Sequence, residues 1–221
     1  MKRTLLTLTL VTASFTFAQD PQTKITIDHN SLKDSTSSFR FKHVPSPVKD
    51  NAATKAKLSL VVGTADPKSG GLKAVVDGDM PQNDYDPGAN FFYVTGSDGG
   101  RLLMDMGSPI AIAQVNTYSW NAYGGGPQVY NLFVSDGTAA GFNPAPDEHT
   151  DPVTCGWKLI ATVDTRPRRG DANGQYGVSI TTENGSLGKY RYLLFDSIPA
   201  EDDDPWGNTY FSKINVIASQ Q

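Results

Sequence analysis

One cysteine and three histidines in 221 residues leave little material for covalent or metal-based structure. A lone Cys155 closes no intrachain disulfide and anchors no Cys-cluster zinc site. Long apolar runs are missing as well. The longest, Leu5 to Phe17, is broken by Thr and Ser and falls short of the roughly 20 apolar residues that span a bilayer. No transmembrane segment is therefore expected. Positive charge is not in excess, with 19 Lys and Arg against 23 Asp and Glu, and the one compact basic group is Arg166-Pro167-Arg168-Arg169. Neutralising phosphates needs a basic patch, so nucleic acid is not an expected partner. Enzyme signatures are lacking too: there is no Gly-x-Ser-x-Gly elbow, His-Glu-x-x-His, Walker loop or Gly-x-Gly-x-x-Gly.

What is present is apolar content of 38% with only 19% charged residues, too apolar for a disordered chain. The fold must rest on packing. Residues 1–18 read as a cleaved export signal: Lys2 and Arg3 form a charged start, an apolar stretch follows, and Ala18 supplies a small residue before Gln19. The expected location is secreted or periplasmic, at the cell envelope. Loss of Lys2 and Arg3 leaves an acidic mature chain. Residues 19–55 read as a polar extension in which Ile25 to Ile27 can add an edge strand, and residues 56–221 as one domain.

Beyond Leu58 short apolar or alternating runs are separated by Gly, Pro, Asp and Asn clusters, the texture of an all-β sandwich. Strands are expected at residues 58–62, 72–76, 91–95, 101–106, 110–120, 128–135, 157–164, 177–182, 190–196 and 210–218. In residues 110–120 the bulky positions are even up to Ile112. Val115, Thr117 and Ser119 then form one face, opposite Asn116, Tyr118 and Trp120. A change of face inside one strand predicts a bulge.

Few residues point to chemistry. His29, His43 and His149 are scattered, and Cys155 beside Trp157 reads as an inert, partly buried thiol. Oxygen-rich bends suit calcium. Asp77-Gly78-Asp79 at a strand end is the better candidate, while residues 171–175 read as a turn. The acidic run Glu201 to Asp204 reads as a solvated loop or a cation-binding rim. Aromatic residues on Gly-rich loops suit sugars, whose C–H faces stack on rings and whose hydroxyls need amide, carboxylate or guanidinium partners. On that basis Trp120, Asn121, Tyr123 and Trp206 are candidate ligand-binding residues, with Arg166 as a bidentate donor. Core packing is the competing reading for Trp120 and Trp206.

The order of segments resembles a known family. Residues 72–79 (Leu-Lys-Ala-Val-Val-Asp-Gly-Asp), 100–107 (Gly-Arg-Leu-Leu-Met-Asp-Met-Gly), 129–137, 190–195 and 210–216 follow the succession of the discoidin, or coagulation-factor C-type, domain. The resemblance covers about residues 56 to 218. It implies a galactose-binding-like β-sandwich of jelly-roll type, usually non-catalytic, similar to bacterial family 32 carbohydrate-binding modules. It also implies a structural calcium held by Asp77, Asp79 and the carbonyl of Ala74, with a Glu on the last strand. Here that Glu is replaced by Lys213, whose ammonium has no lone pair to offer. A calcium-free pair between Lys213 and Asp77 is the expectation, so no cofactor is required, with calcium as the alternative.

Three functions follow. The first is glycan binding through loops at one end of the sandwich. The second is a protein- or cell-surface-interaction (adhesion) domain of the same fold. The third is a hydrolase with facing carboxylates.

Overall fold

The computed structural model describes residues 23–122, 124–169, 172–200 and 209–219. Among these residues eight antiparallel strands build two facing halves: β1 (Thr23–Asn30), β2 (Lys57–Val62), β3 (Gly100–Asn121), β4 (Val129–Ser135), β5 (Lys158–Asp164), β6 (Gly174–Thr182), β7 (Gly188–Ser197) and β8 (Lys213–Ala218). One half runs β2-β3-β7-β4-β5 and the other β1-β6-β3-β8. The two expected strands at 101–106 and 110–120 are one strand of 22 residues, β3, that belongs to both halves.

Two irregularities let β3 change halves. Between Asp105 and Ile110 the register against β7 slips, where Gly107 takes φ +79 and Pro109 has no amide hydrogen for the ladder. Asp105 fixes this arch, accepting from the Gly107 amide at 2.8 Å and from Arg191 Nε and Nη2 at 2.8 and 2.9 Å. The second irregularity is the expected bulge. The register against β8 slips between Ile112 and Gln114. Leu102, Met104 and Ile112 face the core before it, and Val115 after it. The Thr117 hydroxyl meets the Tyr130 hydroxyl at 2.9 Å, so the second half of β3 lies over β4.

Non-strand segments cover both outer faces. Residues 31–56 lie on the β6-β3-β8 half. There Phe39, fully buried, meets the Trp120 ring edge-on at 5.6 Å, and Asn215 on β8 exchanges two hydrogen bonds with Val48. The β4–β5 connection covers the other half. Phe142 and Trp157 pack there with Leu103, Phe133, Leu159 and Leu194 as a second, smaller apolar cluster. Cys155 lies in this cover, its Sγ 3.4 Å from the Pro152 carbonyl, and burial pushes its pKa up.

Two expected strands are absent. Residues 71–74 form one helical turn, α1 (Gly71–Ala74), which sets Leu72, Val75 and Val76 at helical spacing against the core. The apolar run was satisfied by a turn because only one side of it is buried. Residues 91–95 carry only isolated bridges, Phe91 to Phe211 and Ala65 to Tyr93, since no neighbour runs alongside them for longer. β8 begins at Lys213 rather than at Tyr210.

The covering segment 31–56 is held at one charged point. Asp28 accepts the His43 and Val44 amides and the His43 ring, its side chain only 13% exposed. Burial alone would raise its pKa, but these three donors outweigh burial and hold it below the ordinary carboxylate value. The unfolded chain therefore binds the proton more readily. This stability is complete above the ordinary Asp pKa and is lost as pH falls through the lowered one. Asp28→Asn should cost about 1–3 kcal/mol at neutral pH and flatten the acid side of a urea-denaturation profile.

Candidate functional site

The return of β3 brings its C-terminal end beside the start of β4, and the connection between them forms one end of the sandwich. Ser119 donates to the Gly126 carbonyl and accepts from Gln128 Nε2 at 3.0 Å, tying the loop at its base. The Ala122 amide donates to the Asp84 carbonyl at 2.9 Å, which joins the 80–90 loop to the same end. Gly125 lies on the Tyr210 ring. A Cβ there would come within 2.7 Å of it, so the close approach requires glycine. Tyr210 in turn stacks on Phe92 with centroids 4.2 Å apart. Beside them Tyr85 is 60% exposed, the one exposed aromatic side chain among the described residues.

The residues nominated from sequence are not gathered into one surface. Trp120 is 4% exposed and packs under the 31–56 segment. The bulge at Ala113 decides this, because it turns even-numbered residues of β3 outward, onto the face that segment covers. Trp120 is a packing residue, and no sugar can reach its ring. Asn121 is also buried, and its Oδ1 accepts the Gly125 amide at 3.3 Å, so it shapes the loop from within. Arg166 folds back on Asp164 through Nε at 3.0 Å and Nη2 at 2.6 Å. Tyr123, Trp206 and the acidic run Glu201 to Asp204 lie outside the described residues. Tyr85, Tyr210 and Phe92 were not anticipated. Their run gave no hint that residues 80–93 return to the 121–126 loop.

The Asp77 bend holds a cation of its own. Lys213 is 1% exposed, and its Nζ lies 3.0 Å from Asp77 Oδ1, 2.7 Å from the Ser212 carbonyl and in contact with the Ala74 carbonyl. Burial lowers the lysine pKa, and Asp77 works against that shift. The other nominated ligand, Asp79, points to solvent beside Lys49 at 3.6 Å. Two of the three oxygen donors that would serve calcium thus face the buried Lys213 ammonium, and the residues present do not fit the metal. Among the described residues no cluster of three His, Cys, Asp or Glu side chains could hold one.

No protein-family model and no curated protein sequence matches the chain. Solved structures do. A fucolectin from striped bass (Morone saxatilis) serum is 11% identical with a TM-score of 0.50, covering 77% of this chain and 49% of its own. The chain thus spans about half of that lectin. A fucose-binding module of Streptococcus pneumoniae is 12% identical, with a TM-score of 0.48 over 77% of this chain and 96% of the module. A chitosan-binding module from a chitosanase/glucanase of Paenibacillus sp. IK-5 is 16% identical, with a TM-score of 0.46 over 76% and 98%. The chain has the fold of the fucolectin. It is therefore the galactose-binding-like β-sandwich that the order of segments implies.

Removing Asp77 leaves the Lys213 ammonium buried without a counter-charge. Asp77→Ala should cost about 1–3 kcal/mol in urea denaturation, below the ~3–5 kcal/mol of a fully buried pair, because the Asp77 side chain is 39% exposed.

Proposed function

We propose that the mature chain, from Gln19, is an exported, non-catalytic domain that binds a glycan at the loop end of the sandwich and needs no calcium. Tyr85 carries this reading: an exposed ring beside a Gly-rich loop offers the flat apolar face on which a pyranose stacks. A solved structure that shares the fold is a lectin, which supports the same class of ligand. The Lys213 ammonium supplies the positive charge at the Asp77 bend, which supports independence from calcium.

On a glycan array the mature chain should bind at least one glycan class. Tyr85→Ala and Trp206→Ala should each weaken that binding about tenfold, the loss of a ring contact worth roughly 1.4 kcal/mol. Binding to no glycan, with binding to a surface protein retained, would transfer the function to adhesion. Calcium and chelator should leave the melting temperature unchanged, and a rise of several degrees with calcium would reject the internal-cation reading. N-terminal sequencing of the exported protein should begin at Gln19.

A further inference from the structure

A second concave surface lies on the outer face of the five-stranded half. Cross-strand register sets Arg101, Asp196, Asn131 and Thr162 in one row over β3, β7, β4 and β5. Their chain neighbours Leu102, Phe195 and Leu132 are fully buried in the core, so the row points outward. It forms the floor of a groove of about 570 Å³, within the range of small-molecule sites. Phe133 and Leu159 give it an apolar wall, and residues 148–152 of the β4–β5 connection give the other.

Part of this row is structural. Arg101, 7% exposed, spends Nε on Asp196 Oδ1 at 3.0 Å. Its Nη1 goes to the carbonyls of Pro146, Asp147 and Thr150, which pins the covering loop to the sheet. Asn131 Oδ1 accepts from Thr162 at 2.8 Å. That role leaves three groups over. Arg101 Nη2, the second Asp196 oxygen and Asn131 Nδ2 have no hydrogen-bond partner among the described residues. They present donor, acceptor and donor in sequence across three neighbouring strands. A clamp for the loop needs no such alternation, and Asn131 does not touch the loop's carbonyls at all.

We propose that this groove is a second saccharide site, for a pyranose with vicinal hydroxyls and no negative charge. Each hydroxyl would donate to Asp196 and accept from Arg101 or Asn131. Acidic sugars are disfavoured. The Arg101 charge is already matched by Asp196, and Glu148 and Asp151 add negative charge at the rim.

The test is amide NMR of the mature chain titrated with methyl galactopyranoside, with glucosamine, and with galacturonate as the charged control. The Asn131 side-chain amide signals should shift with the first two and not with galacturonate. Asn131→Asp keeps the size and the acceptor for Thr162 but removes the donor, and should weaken binding at least tenfold. Thr162→Val with Asn131→Ala is the second variant should the first fail to fold. Tyr85→Ala should leave the groove's titration unchanged, which separates this site from the loop end. Shifts confined to the loop end, or undiminished affinity in both groove variants, would overturn the proposal.

Discussion

One strand has to serve two sheets. β3 supplies a central member of each half of the sandwich, so its inward positions must change parity where it passes from one to the other. The extra residue at Ala113 makes that change. Without it Tyr118 and Trp120 would point into the core and Val115 out of it, and neither half could pack on the other. The arch at 106–109, fixed by Asp105 and Arg191, provides the slack for the passage. A strand shared by both sheets also joins them covalently. This explains how a chain with one free cysteine keeps its halves in register.

Because β3 carries bulky residues on both of its faces, each sheet needs a cover outside it as well as a core inside. Both covers are irregular chain, and irregular chain brings backbone polar groups that must be paired. The structure meets this with buried polar anchors. Asp28 takes two amides of one cover, Arg101 takes three carbonyls of the other, and Asn215 exchanges two bonds with Val48. Lys213 does the same for the end of α1. Its ammonium sits on carbonyls of Ala74 and Ser212 with Asp77 beside it. A cation attached to the backbone cannot dissociate from the chain as a bound ion can.

The sequence made the sandwich legible because alternation and turn residues are local signals. The bulge was legible for the same reason, since the parity change from Ile112 to Val115 is written within four residues. Lys213 and Asp77 could be paired before the structure because the order of segments placed them at one bend. Short segments with one-sided burial were not legible: Leu72 to Val76 has the composition of a strand, yet one helical turn buries the same side chains. Trp120 failed for a longer-range reason. Whether an outward aromatic meets solvent depends on what covers it, and Phe39 is 81 positions away in the chain. The row from Arg101 to Thr162 is hidden in the same way, because register between β3, β7, β4 and β5 is set by the whole sheet.

That difference bears on where function is sought in such a fold. Residue type nominated the tryptophan, but packing had already spent it, and a spent ring contributes stability rather than recognition. Functional groups are those that the fold positions without consuming. Tyr85 is positioned by the Asp84 carbonyl, which holds the Ala122 amide, and its ring remains exposed. Asn131 is positioned by Thr162, and its amide nitrogen remains unpaired among the described residues. Each is oriented by the fold while part of its side chain stays at the surface. The polar anchors around them tie the covering segments to the sheets, which holds such side chains in fixed positions.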